Sequence, residues 1–211
     1  MLRKRPELLK LKERKVEQIL ELCRQKVIRE GWHKLSMRGV KRLLKQYNLS
    51  LDYYFPTKTH LGFALAENEF GLITGLIVAV KRDNLNSNPG NSPVTTLQNC
   101  TFTLIEHFQQ NQNLFDLLLD LELIEEYNQS NLTFAADIKP VVPLKNLFKQ
   151  ELFELFHQIS AQGSLSDPYK LLNDWFYLYF GLLRVGVYRE FRYTEAQVKE
   201  NIARLCAIKP P

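Results

Sequence analysis

Between Ser36 and Lys58 the chain reads SMRGVKRLLKQYNLSLDYYFPTK, a stretch whose residue types suit the capture of phosphate. Ser36 is placed to N-cap a helix beginning at Met37, and Thr57, following Pro56, is placed to N-cap another. Arg38 and Lys58 then fall in first turns, beside backbone N–H groups that have no intrahelical acceptor. A phosphate drawn to those N–H groups would gain a charge-assisted contact from each cation. Lys41 and Arg42 read as charges that steer a polyanion, and Tyr53 carries a phenol able to donate to phosphate. Lys45, Tyr47, Asn48 and Ser50 are the candidates for a groove-facing surface. Lys suits guanine and Asn suits adenine there. A turn, cap or solvated surface residue is the competing reading for those four.

The elements that must position these residues read as helices. From Arg14 to Glu30, Val16, Ile19, Leu20, Cys23, Val27 and Ile28 recur at three- and four-residue steps, and Gly31 can end that helix. Trp32 and Leu35 would pack the corner. A second helix runs from Met37 to about Leu44 or Tyr47, with Val40, Leu43 and Leu44 inward, and a third carries Leu51, Tyr54 and Phe55. Thr57 to Arg82 reads as one long helix, followed by the loop DNLNSNPGNSP at 83–93. Helical patterns then recur at about Val94–Gln110, Leu114–Tyr127, Leu144–Ala161, Pro168–Glu190 and Thr194–Ala207, with Pro140 and Pro143 interrupting the chain before the third of these. No strand-period run stands out. The expectation is all-α, about nine helices, with a three-helix head at 1–58 and a helical body at 59–211.

Charge separates the two parts. Residues 1–60 hold 16 Lys/Arg against 6 Asp/Glu, a net of +10, whereas the remainder nets −5, within a total of +5. A polyanion is therefore expected to meet the head alone. The basic residues are spread over several helices rather than along one polar face, which favours nucleic acid over an anionic membrane. The apolar run Gly71–Val80 is far short of a membrane span. Cys23, Cys100 and Cys206 are isolated and odd in number, and the start MLRKRPELLKLKERK lacks the apolar core of a secretory signal, so a reduced cytoplasmic setting is expected.

No catalytic set, metal site or cofactor motif emerges, and the chain does not read as an enzyme. His33, His60, His107 and His157 are scattered, and there is no phosphate-cradling Gly loop or nucleophile elbow. Asp116, Asp120, Glu122, Glu125 and Glu126 read as the wet face of a helix.

Ser36-Met37-Arg38 at one end and Tyr54-Phe55-Pro56-Thr57-Lys58 at the other resemble the limits of the helix-turn-helix of tetracycline-repressor-type (TetR) transcriptional regulators, at the usual separation. The middle departs from that pattern. Lys41 and Lys45 stand where a small Ala and a turn Gly are usual, and Asp52 stands where Tyr is frequent. One alternative places the turn at Asn48-Leu49-Ser50, with Asn48 left-handed and Ser50 capping a shortened recognition helix. The resemblance implies a ligand-responsive repressor that binds double-stranded operator DNA as a homodimer through its last two helices. It puts Tyr53 at a phosphate-contacting position. It also implies a body pocket for an unidentified small-molecule effector, for which Phe102, Tyr127, Phe134, Trp175 and Tyr179 are aromatic candidates, although plain core is the simpler reading of each. A competing expectation is a TetR scaffold that has lost operator recognition and serves as a ligand- or protein-binding module.

Overall fold

A computed structural model describes residues 5–87, 92–120, 142–162, 167–188 and 193–207. Its elements are α1 (Arg5–Glu30), α2 (Met37–Lys45), α3 (Lys58–Ser87), α4 (Pro93–Gln110), α5 (residues 112–120), α6 (Val142–Ala161), α7 (Pro168–Tyr188) and α8 (Glu195–Ala207). The described residues contain no strand, so the all-α expectation holds. Two compact units emerge, Met1–Glu69 with Asn113–Val141 and Phe70–Gln112 with Val142–Pro211. The division falls inside α3, not at its start.

In the first unit, Ile19, Cys23 and Val27 line α1 at helical spacing and are fully buried, with Val40 and Leu44 of α2, Leu51, Phe55 and Leu61 completing the core. Gly31 adopts φ 85° and its N–H reaches Val27 O at 2.8 Å, the left-handed stop that ends α1. A second carbonyl near that end, Ile28 O, accepts from Asn113 Nδ2 of α5 at 2.8 Å. Arg24 of α1 meets Glu69 of α3 through Nε–Oε2 at 3.0 Å, and the Glu69 side chain is only 1% exposed. A carboxylate so removed from water needs a cation.

In the second unit α4 packs against α6, α7 and α8. Ser92 caps α4, its oxygen accepting from Thr95 N–H at 3.2 Å with Pro93 in the first turn. Leu97, Cys100, Leu104, Ile105 and Phe108 of α4 are buried among Leu152 and Phe156 of α6, Trp175 and Leu183 of α7, and Val198 and Ile202 of α8. Trp175 stacks on Tyr179 at 4.8 Å, and its Nε1–H donates to Thr101 Oγ1 at 2.9 Å; that hydroxyl donates in turn to Leu97 O. Lys81 Nζ bonds Glu151 and Glu154 at 2.8 and 2.9 Å. Burial would lower its ammonium pKa, but the two carboxylates outweigh that and raise it.

By length and composition alone, α3 is apolar enough to cross a membrane, a property the ten-residue run did not suggest. Its buried face, with Leu61, Leu65, Ile73 and Ile77, is that of a helix used as core. α6 begins at Val142, two residues before the expected Leu144, because Pro143 is tolerated in a first turn.

Candidate nucleic-acid interface

The head's short helix starts where its cap dictates. Ser36 is extended at φ −111° and ψ 141°, and its Oγ accepts from Gly39 N–H at 3.1 Å. A β-carbon at position 39 would lie 3.0 Å from that oxygen, so glycine keeps the cap close. With Val40 and Leu44 buried, Arg38, Lys41, Arg42 and Lys45 fall at i, i+3, i+4 and i+7 on the opposite, exposed face of α2. Among the described residues, Arg38, Arg42 and Lys45 have no carboxylate within ion-pair distance.

After Lys45 the chain turns through Gln46, Tyr47 and Asn48. Asn48 takes φ 54°, as its short amide side chain permits, which matches the alternative turn read from the sequence. The third helix of the expected head is reduced to a single turn. Leu51 O accepts from Tyr54 N–H at 3.0 Å and from Phe55 N–H at 2.8 Å, and no helix follows until α3. The segment between left-handed Asn48 and Pro56 is too short to extend a helix past its costly nucleus, and Pro56 disfavours helical backbone at Phe55. Leu51 and Phe55 plug the core, whereas Tyr47, Asn48, Ser50, Asp52 and Tyr53 are exposed.

Lys58 is placed differently from the other candidates. Its Nζ donates to Trp32 O at 2.9 Å and sits 4.5 Å from the Trp32 ring centroid, with His33 O at 3.5 Å. The ammonium is held by the corner after α1. Thr57 caps α3 as expected, its Oγ1 accepting from His60 N–H at 3.2 Å. Lys41 and Asp52, both departures from the family pattern, meet at 2.7 Å on the surface. Sequence reasoning missed Lys12 of α1, whose Nζ lies 5.5 Å from the Tyr53 ring centroid. Hydrogen bonding to the Tyr53 side chain raises the Lys12 pKa.

Elsewhere, Trp175 and Tyr179 are buried together and Phe102 is half-buried, while Tyr127 and Phe134 lie outside the described residues. Burial pushes the Tyr179 phenol well above its ordinary pKa. The three thiols are pushed up by the same cause, Cys23 and Cys100 to about 12 and Cys206 to about 11. Among the described residues, no three His, Cys, Asp or Glu side chains come together as a metal site would require.

No protein-family model matches the sequence, and no curated protein matches it. Among solved structures, the chain is similar to the crystal structure of a TetR transcriptional regulator from Rhodococcus sp. RHA1. The likeness has a TM-score of 0.55 at 16% identity and covers 92% of this chain and 94% of that one. The fold is TetR-type. Within that TetR-type fold, the head keeps both ends of the expected motif and replaces the helix between them by the Asn48 turn and the single turn at 51–55.

Proposed function

We propose that the protein is a TetR-type transcriptional regulator, a ligand-responsive repressor that binds operator DNA with residues 1–58. The observation that carries this reading is the exposed stripe of Arg38, Lys41, Arg42 and Lys45 on α2, running into the uncovered turn at Tyr47 and Asn48. Cations on one face attract the phosphate backbone, and Asn48, Ser50 and Tyr53 at its edge can meet base edges or further phosphates. Residues 59–211 would enclose a small-molecule effector among aromatics such as Phe102, Trp175 and Tyr179, and would pair two copies through α7 and α8 in the cytoplasm. On α7, Lys170, Asn173, Tyr177 and Gly181 share an exposed face, and nothing lies within 4 Å of a β-carbon built at Gly181. That leaves room for a second helix to approach. Such a dimer places its heads in half-sites one helical turn, about 34–36 Å, or a multiple apart. The effector acts by favouring a head separation that misses that spacing.

The test is fluorescence polarisation of the protein titrated onto DNA from its own upstream region, at several salt concentrations. Sequence-preferring, salt-sensitive binding is expected. A second reading, a TetR scaffold that no longer reads bases, is favoured by the one-turn reading segment and the Lys41–Asp52 pair, which removes one cation from the stripe. It predicts equal, weak affinity for upstream and scrambled duplexes.

A further inference from the structure

The inward stripe of α1 does not stop where the core stops covering it. Val27, Cys23 and Ile19 are fully buried at steps of four, and Lys12 lies one heptad before Ile19 on the same stripe, yet is exposed. It continues that stripe beyond the core, and its ammonium sits over the Tyr53 ring, 5.5 Å from the centroid. Tyr53 is 66% exposed, and its ring meets that of Tyr54 edge-on at 4.9 Å. Two other cations of this unit are engaged, Lys58 by Trp32 and His33 and Lys41 by Asp52, whereas Arg38, Arg42 and Lys45 stand on α2. Among the described residues, no carboxylate lies within ion-pair distance of Lys12.

We propose that Lys12 and Tyr53 form a clamp for one backbone phosphate of the duplex, making α1 part of the DNA-binding surface. The ammonium supplies the charge and up to three N–H donors, and the phenol supplies one O–H donor from an adjacent direction. The cation-on-ring contact holds the flexible lysine stem beside the hydroxyl before DNA arrives, which reduces the ordering that binding must impose. The clamp reads charge and not sequence. It rests on the DNA-binding reading above.

The test uses full-length protein and a duplex that wild type binds, comparing Lys12→Gln, Lys12→Arg, Tyr53→Phe and the double variant Lys12→Gln/Tyr53→Phe. Both positions are exposed, and circular-dichroism melting of each variant checks that the fold is retained. Loss of one phosphate contact lowers the slope of log affinity against log salt by about 0.9. The deficit of Lys12→Gln should therefore shrink by about 3.5-fold between 50 and 200 mM salt, a fourfold rise taken to that power. It should be the same on upstream and scrambled duplexes, and Lys12→Arg should restore the slope. The double variant should lose less than the product of the single losses, because both groups hold one phosphate. A wild-type slope for Lys12→Gln, on DNA that wild type binds, overturns the clamp and leaves the regulator reading standing. Losses that multiply fully overturn the shared phosphate. Failure of wild type to bind any duplex overturns the DNA-binding reading and the clamp with it.

Discussion

Replacing Arg24 by Met removes a cationic partner from a carboxylate that has almost no access to water. Glu69 is 1% exposed and Arg24 is 14% exposed, with Nε and Oε2 at 3.0 Å. Breaking a buried pair from one side costs about 3–5 kcal/mol, and the partial exposure of Arg24 places this case near 3 kcal/mol. A loss of about 3 kcal/mol lowers the folding equilibrium constant by more than a hundredfold, since about 1.4 kcal/mol is a factor of ten. With a urea slope of about 2 kcal/mol/M, the unfolding midpoint should fall by about 1.5 M. The assay is urea unfolding followed by far-ultraviolet circular dichroism. The double variant Arg24→Met/Glu69→Leu restores an apolar contact of similar volume and should return to within about 1 kcal/mol of wild type, or exceed it. An Arg24→Met midpoint equal to wild type, or a double variant no better than the single, is the contrary outcome. Either result would mean that Glu69 does not depend on Arg24 for its burial.

Three further outcomes are expected. Thr101→Val keeps the shape but removes the acceptor of the buried Trp175 N–H, at a cost of about 1–3 kcal/mol, while Thr101→Ser should lose less; thermal melting compares them. At φ 54°, Asn48→Gly should be neutral or slightly stabilising in the same melt, whereas Asn48→Val should lose about 1–3 kcal/mol. At pH 8 a thiol whose pKa is near 11 or 12 is ionised to only about one part in a thousand or less. The native protein should therefore react slowly with a thiol-specific chromogenic disulfide, and denaturation should release all three cysteines at once.

Local signals in the sequence carried much of the fold. Ser36, Thr57 and Gly31 each act through their own backbone neighbourhood, so cap and stop chemistry located the end of α1 and the starts of α2 and α3, whereas α1 begins earlier, at Arg5, and α3 runs further, to Ser87, than the apolar pattern suggested. Asn48 belongs with them, because its tolerance of left-handed backbone is a property of the residue itself. The missing third helix was harder to anticipate. Leu51, Tyr54 and Phe55 have helical spacing, yet Asn48 on one side and Pro56 on the other leave too little chain for that spacing to be realised. The same long-range dependence governs the cations. Nothing local distinguishes Lys58 from Arg38, and it is Trp32 and His33, far along the chain, that hold the lysine. Lys12 illustrates the reverse, since only its heptad relation to Ile19 signals that it lies toward Tyr53.

The chain has two tryptophans, and they divide one to each compact unit: Trp32 in the first and Trp175 in the second. Each is buried against a distinct electronic neighbour, Trp32 against the Lys58 ammonium and Trp175 against the face of Tyr179. Single-tryptophan versions made with Trp32→Phe or Trp175→Phe therefore carry an intrinsic fluorophore in one unit at a time. Trp32 emission follows the first unit without a dye, and Trp175 emission follows the interior of the second.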